Sequence, residues 1–429
     1  MAAPTLAGGP AAMSTETVTE TSTSVEAASA AEMTGVTALP RVTKPGRVPI
    51  KSWALDLEGA VLDQATNLSN LPFAIDHVAL MPDAHAGYGM PIGGVLFADQ
   101  AVVPYAIGVD IGCGVALVET DLTVETLGPD GLKSVLAQIA RDVPVGRDSQ
   151  PRPVDREAAL AEIGLDVPAS VAGPWFDRAV NQLGTLGSGN HFLELQRDEA
   201  GSVFVMLHSG SRNLGKTICD EFHERALAEN TRWHSALPHP ELAYLPVGTD
   251  GYTGYWSAMT FALRFAEVNR SRMLDAVEDA FGRHTRVGRM ERVVDVHHNY
   301  AAWENHAGSN GIVHRKGAVR AGAGEVVLIP GSMGTASYVG EGLANPESFE
   351  TCQHGAGRAL SRTAARKAKT SKDVYAEMAS LGVALHSGDP KTVAEEAAFA
   401  YKDIEVVMAA SASLVRPTKR LTPLGVVKG

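Results

Sequence analysis

One pattern recurs along this chain and limits what it can fold into. Short apolar runs stop abruptly at glycine, and a histidine, cysteine or carboxylate stands at the break. It occurs at Asp83-Ala84-His85, through Gly108-Val109-Asp110-Ile111-Gly112-Cys113-Gly114, at Asn190-His191, at His208 in "HSGSR" and at His297-His298-Asn299. Runs of this length and make-up read as strands, and glycine allows a tight turn with close approach of a ligand to the main chain. Alone, a histidine on an apolar strand is usually a hydrogen-bonded core residue, and Asp-x-x-Cys a buried turn with an inert thiol. Several such breaks in one chain point instead to groups that converge.

The setting is a globular one. With 429 residues, 45% of them hydrophobic and 20% charged, the chain is long enough for a large core. No apolar run is long enough to span a bilayer, so no membrane partner is expected. Three cysteines, Cys113, Cys219 and Cys352, make no disulfide framework, which fits a reducing, cytoplasmic compartment. The net charge of −12 argues against general coating of nucleic acid but leaves room for a local basic groove. Residues 1–45 are rich in Ala, Ser, Thr, Glu and Gly. They bury too little to offset their ordering entropy and are expected to form a disordered tail. They lack the basic and apolar regions of a signal peptide.

From Arg47 onward the composition changes. "VPIKSWAL" reads as a first strand, residues 76–99 as strand, glycine-rich loop and strand, and Val115 to Glu119 as another strand. Residues 123–182 read as helical around a Pro/Arg-rich interruption at 144–157. Residues 215–281 read as helix broken near 237–255, and 390–408 as a last helix. The expectation is an α+β fold, one large domain over 46–429.

Asp110, Cys113, His191, His208 and His298 supply a carboxylate, a thiol and three imidazoles. They suffice for two divalent ions if the thiolate bridges them, since metal binding deprotonates the thiol. Softness alone would suit zinc or iron, and spacing does not identify the metal. "PGSMGTAS" (330–337) offers amides and hydroxyls that could cradle phosphate, or could be a plain surface turn. His354 opens a Gly-Ala-Gly turn expected to run into a helix bearing Arg358, Arg362, Arg366, Lys367, Lys369 and Lys372. It reads either as a nucleophile towards phosphorus or as a capping residue beside a solvated basic face, and position alone does not separate the two. The basic run is either that wet face or a track for a polyanion.

Taken in order, "MPDAHAGYGMPIGG", "GVDIGCG", "GSGNHFLE", "HSGSR", "HHN", "PGSMGTASY", "HGAGR" and the terminal "VKG" resemble the RtcB-type RNA-splicing ligases, from about residue 48 to the C-terminus. The resemblance implies an RtcB-like domain with a central bimetallic site. It also implies joining of RNA 3′-phosphate or 2′,3′-cyclic phosphate ends to 5′-hydroxyl ends, using GTP and two Mn²⁺. Asp110, Cys113 and His191 would hold one ion, and Cys113, His208 and His298 the second. His354 would carry GMP, and Asp83 would help position or activate the RNA end. The guanylate site would be lined by Asn190, His191, Phe192, Leu193, Glu194, His298, Asn299, Pro330, Gly331, Ser332, Met333, Ser337, His354, Gly355, Ala356, Gly357, Tyr401 and Lys428. Implied partners are RNA, as tRNA halves or broken ends, and an archease-type activating protein; splicing and repair both stay open. Two other readings compete: a metal-dependent phosphoesterase that hydrolyses RNA ends without joining them, and a non-catalytic RNA-binding paralogue.

Overall fold

The computed structural model describes residues 39–388 and 393–429, so the expected tail lies outside the described residues up to position 38. Regular structure begins earlier than residue 46. Arg41–Thr43 pairs antiparallel with Ile50–Ser52, and the Arg41 guanidinium donates to the Leu55 carbonyl at 2.8 Å.

Two sheets carry the molecule. The first has six strands in the order Arg41–Thr43, Ile50–Ser52, Ala74–His85, Ile92–Ala98, Ser309–Lys316 and Asn299–His306. Only its pairing of Ile50–Ser52 with Ala74–His85 is parallel. The second runs Met290–His297, Gly114–Thr123, Ser202–Ser209, Phe192–Arg197, Val415–Lys428, Ser337–Gly342 and Val326–Ile329. Ala384–Ser387 joins the end of Val415–Lys428 in parallel. Two-residue alternation sends Ala116, Val118, Val203 and Val205 into one core and Val115, Leu117, Phe204 and Met206 into another. The strands are therefore buried on both faces, which is why they read as continuous apolar runs.

Helices close these cores. Val124–Asp142, which opens on a capping box at Thr123, packs Val135, Leu136 and Ile139 under the second sheet. The 35-residue helix Asp250–His284 passes beneath the chemistry-bearing loops and buries Phe261, Phe265, Met273 and Phe281. The expected helical region 123–182 holds, with Arg156–Ile163 and Pro174–Val180 following the interruption.

Two helical expectations do not hold. Residues 390–408 are not one helix: among the described residues there are 3-10 turns at Val393–Glu396 and Ala398–Ala400, then a short helix Ile404–Ala410 capped by Asp403. The Ala400 carbonyl is taken by the amides of Ala359 and Leu360, and Lys402 N–H donates to Gly357 at 2.9 Å. These outside partners replace the helical bonds. Nor does His354 open a helix. The nearest one, Arg362–Ala368, starts at a Ser361 cap and ends at Lys369, and Lys372 belongs to the next, Ser371–Ser380. The basic run is also largely paired: Arg362 and Arg366 meet Glu395, and Lys369 meets Glu377.

The link between the sheets fixes the site. Met290–His297 belongs to the second sheet and Asn299–His306 to the first, so the chain crosses from one to the other at the single residue His298. Its N–H donates to the Cys113 carbonyl at 2.9 Å, and its carbonyl accepts from Ala318 N–H at 3.1 Å.

Candidate metal centre

The central loop is shaped by its own turn. Cys113 N–H donates to the Asp110 carbonyl, Gly112 N–H donates to the Asn299 carbonyl, each at 3.0 Å, and the Asn299 amide donates back to the Asp110 carbonyl at 3.0 Å. At Gly112 the backbone has φ +78 and an added Cβ would sit 3.0 Å from Ala266. A side chain there would be strained and crowded against the long helix.

Asp110 and Cys113 thereby face three histidines from three strand ends. The thiol Sγ lies 3.4 Å from His191 Nε2 and 3.2 Å from His208 Nε2. Asp110 Oδ2 is 3.0 Å from His191 Nε2, and His208 Nε2 is 3.3 Å from His298 Nε2. Two overlapping groups result, Asp110–Cys113–His191 and Cys113–His208–His298, sharing the sulfur. The donor chemistry fits cations. His191 Nδ1 lies 3.0 Å from the Leu186 carbonyl, to which it donates its hydrogen, so Nε2 offers a lone pair to the cluster. Burial, with neighbouring histidines adding to it, holds the His208 and His298 imidazoles well below their usual pKa, and neutral imidazole is the ligating form. Burial and then Asp110 push the Cys113 thiol well up, so without a cation it keeps its proton. A bound metal reverses that preference.

His354 stands beside the cluster, its ring 4.8 Å from that of His298. Its Nδ1 is 2.7 Å from Asp83 Oδ2, and its backbone N–H donates to the same oxygen at 3.2 Å. Asp83 has no exposed surface and does not line the cavity; the group its carboxylate meets is His354.

The five residues of the cluster and His354 open into one cavity of about 640 Å³. Its lining includes Asn190, Phe192, Glu194, Asn299, Ser337, Tyr401 and Lys428. The loop Pro330–Met333 and the turn His354–Gly357 line it as well. Leu193 is the exception. It is fully buried in the core facing the helix Val124–Asp142, because alternation along Phe192–Arg197 turns it away from its neighbours. In the cavity wall, burial pushes the Glu194 carboxyl up to about 8, against the pull of Gln196 and Lys428.

Several residues here were not anticipated. Glu396, almost fully buried, takes bonds from Tyr401 Oη and from Arg358 at 3.3 Å, with Lys428 Nζ at 3.7 Å. Burial pushes its carboxyl up, but Lys428 and Arg358 outweigh this and hold it below the usual range. Lys316 lines the cavity, donating to the carbonyls of Tyr88 and, at 3.2 Å, Tyr105, and burial brings it down to about 8. The triplet His314-Arg315-Lys316, buried at the end of its strand, follows only two apolar residues, Ile312-Val313, and carried no clear sign in the sequence. Below the cluster, the fully buried Arg270 donates to the Gly112 and Ser209 carbonyls, both at 3.0 Å, and pairs with Asp295 at 2.7 Å. Its neighbour Asn269 accepts from Gly184 N–H at 2.8 Å and donates to Gly210 at 3.0 Å. Flanked by Glu267-Val268 and Ser271-Arg272, this Asn-Arg pair carried no local signal in the sequence.

Comparison with known proteins bears on the chain as a whole. Residues 64–429 match the family model described as tRNA-splicing ligase RtcB. The RNA-splicing ligase RtcB of Escherichia coli K12 is 38% identical over 404 residues, covering 89% of this chain and 97% of that protein. The tRNA-splicing ligase RtcB of Thermococcus kodakarensis is 33% identical, covering 91% and 97%. The RNA-splicing ligase RtcB of Mycobacterium tuberculosis is 34% identical, covering 85% and 100%.

Proposed function

The chain belongs to the RtcB family of RNA-splicing ligases, and on that premise we propose that it joins RNA 3′-phosphate or 2′,3′-cyclic phosphate ends to 5′-hydroxyl ends through a guanylate carried on His354. The observation that carries the reading is the pair His354 Nδ1–Asp83 Oδ2 at 2.7 Å, set beside the cysteine–histidine cluster. Nδ1–H donates to Asp83, which leaves the Nε2 lone pair free as nucleophile. The buried carboxylate opposes the positive charge that grows on the ring as an Nε2–phosphorus bond forms.

GTP is the guanylate donor in this proposal. Nε2 attacks the α-phosphorus, the bond to the bridging oxygen breaks and pyrophosphate leaves. An oxygen of the RNA 3′-phosphate then takes the guanylyl group and His354 regains its lone pair. The 5′-hydroxyl next attacks the activated 3′-phosphorus, losing its proton as GMP departs and the strand is sealed. Asp110, Cys113 and His191 would hold one Mn²⁺, and Cys113, His208 and His298 the other. When bound, the ions neutralise phosphate charge and polarise the attacked phosphorus. Glu194, Tyr401 and Lys428, the last two organised by Glu396, give the guanine edge a buried set of acceptors and donors. The proposed RNA is a cut tRNA or a broken strand in the cytoplasm, with an archease-type protein as activator.

Incubation with labelled GTP and Mn²⁺ tests this. An acid-labile GMP adduct is expected on the wild-type chain and none on His354→Ala. An adduct that survives that substitution, or loss of RNA 3′-phosphate with no joined strand, contradicts it.

A further inference from the structure

The rim of the cavity carries an aromatic ring for which nothing above has a use. Tyr88 lines the cavity yet is 62% exposed, and among the described residues its hydroxyl has no hydrogen-bond partner. Its backbone, by contrast, is held from several sides. The Gln64 side chain clamps Gly87, accepting from its N–H at 3.2 Å and donating to its carbonyl. Lys316 donates to the Tyr88 carbonyl, which also accepts from Met90 N–H at 2.7 Å. Gly89 N–H donates to Glu241 at 2.5 Å. At Gly89, φ is +68, and an added Cβ would lie 2.9 Å from the Glu241 carbonyl oxygen, so the loop rests directly on its neighbour.

A fixed backbone under a free ring is a pre-organised surface. The neighbouring Tyr105 is different: it is stacked on His223 at 3.9 Å and 13°. Tyr88 sits 6.3 Å from Tyr105 at 42° and is not stacked on it. Of the cations that line the cavity here, Lys216 is already paired with Asp220 and Lys316 is turned onto backbone carbonyls, so what Tyr88 itself offers is a π-face. Aromatic faces hold single-stranded nucleic acid by stacking on bases, with little sequence preference.

Granting the ligase reading, we propose that Tyr88 is the platform on which the base of a terminal RNA nucleotide stacks, aligning that end with the cluster below. Stacking tolerates any base, as an enzyme that joins ends of differing sequence requires.

The test uses the full chain without GTP. Two oligoribonucleotides carry 2-aminopurine, one at a 3′-phosphate terminus and one at a 5′-hydroxyl terminus. Binding to wild type should quench the fluorescence of at least one. Tyr88→Ala should abolish that quench and raise its Kd about 5- to 100-fold, while Tyr88→Phe should keep both. GMP-adduct formation should be unchanged in Tyr88→Ala, so failure of the ligase reading would show separately, as no adduct on wild type. Equal quenching and Kd in wild type and Tyr88→Ala, or no quench by wild type at either end, would overturn the proposal.

Discussion

Asp83 and His354 are separated by 271 positions in the chain and joined by a 2.7 Å bond. A neutral amide at position 83 would keep the shape but remove the charge that opposes a growing imidazolium. Asp83→Asn is therefore expected to slow adduct formation about 100-fold or more without changing metal stoichiometry. Single-turnover labelling with GTP checks the first and metal titration the second; an unchanged rate would remove Asp83 from the mechanism. Cys113 is the one donor common to both groups, so Cys113→Ala should weaken both ions together. Retention of one ion at wild-type affinity would contradict the shared thiolate. At this scale the sequence was informative where a residue type is chemically unusual in its place, as with the five clustered residues Asp110, Cys113, His191, His208 and His298. It was misleading at Leu193, where reading a motif as an unbroken segment overrode the alternation that turns this side chain into the core. It was silent on Glu396, whose role depends on Lys428 and Tyr401 being brought to it.

The elements act as braces. The long helix Asp250–His284 reaches the loops of the candidate metal centre through Arg270, whose Nη1 donates to both the Gly112 and Ser209 carbonyls while its Nε donates to Asp295. An ammonium is a single point donor and cannot hold these two carbonyls and Asp295 in the same planar geometry. Arg270→Lys should lower metal affinity about 10- to 100-fold, the usual consequence of losing support behind the ligands, with helix content unchanged by circular dichroism. Wild-type affinity would show that the loops hold themselves. The strand Ser309–Lys316 carries a different device. His314 Nε2 accepts from Val103 N–H at 3.0 Å, and burial lowers its pKa to about 4. Its folded value lies below the unfolded one, so the unfolded chain binds more protons between about pH 6.5 and 4. His314 should thus cost about 3 kcal/mol of stability as pH falls through that window. His314→Gln should flatten that part of the denaturation profile; an equal acid loss in the variant would contradict it. Neither brace could be read from the chain alone, because each needs a partner more than 150 positions away, Gly112 for Arg270 and Val103 for His314.

For the whole molecule, the fold class was legible because strands buried on both faces leave long apolar runs and the helices between them are strongly patterned. What failed was local: the helix expected over 390–408 and the one expected to follow His354. In both places buried ion pairs and carbonyl partners from other segments outweigh helical propensity. The acidic total of −12 likewise conceals a cavity wall bearing Arg212, Arg358, Lys316 and Lys428. A nucleotide-transfer reading of that cavity makes one demand above the others: the guanylate on position 354 must be the species that reacts with RNA. The direct measurement is a chase. The labelled adduct is freed of GTP and mixed with a 3′-phosphate strand, then with a 5′-hydroxyl strand. The expected result is transfer of label from protein to the 3′ end, followed by its release as GMP when the strands join. Joined RNA appearing while the label stays on the protein would contradict the account.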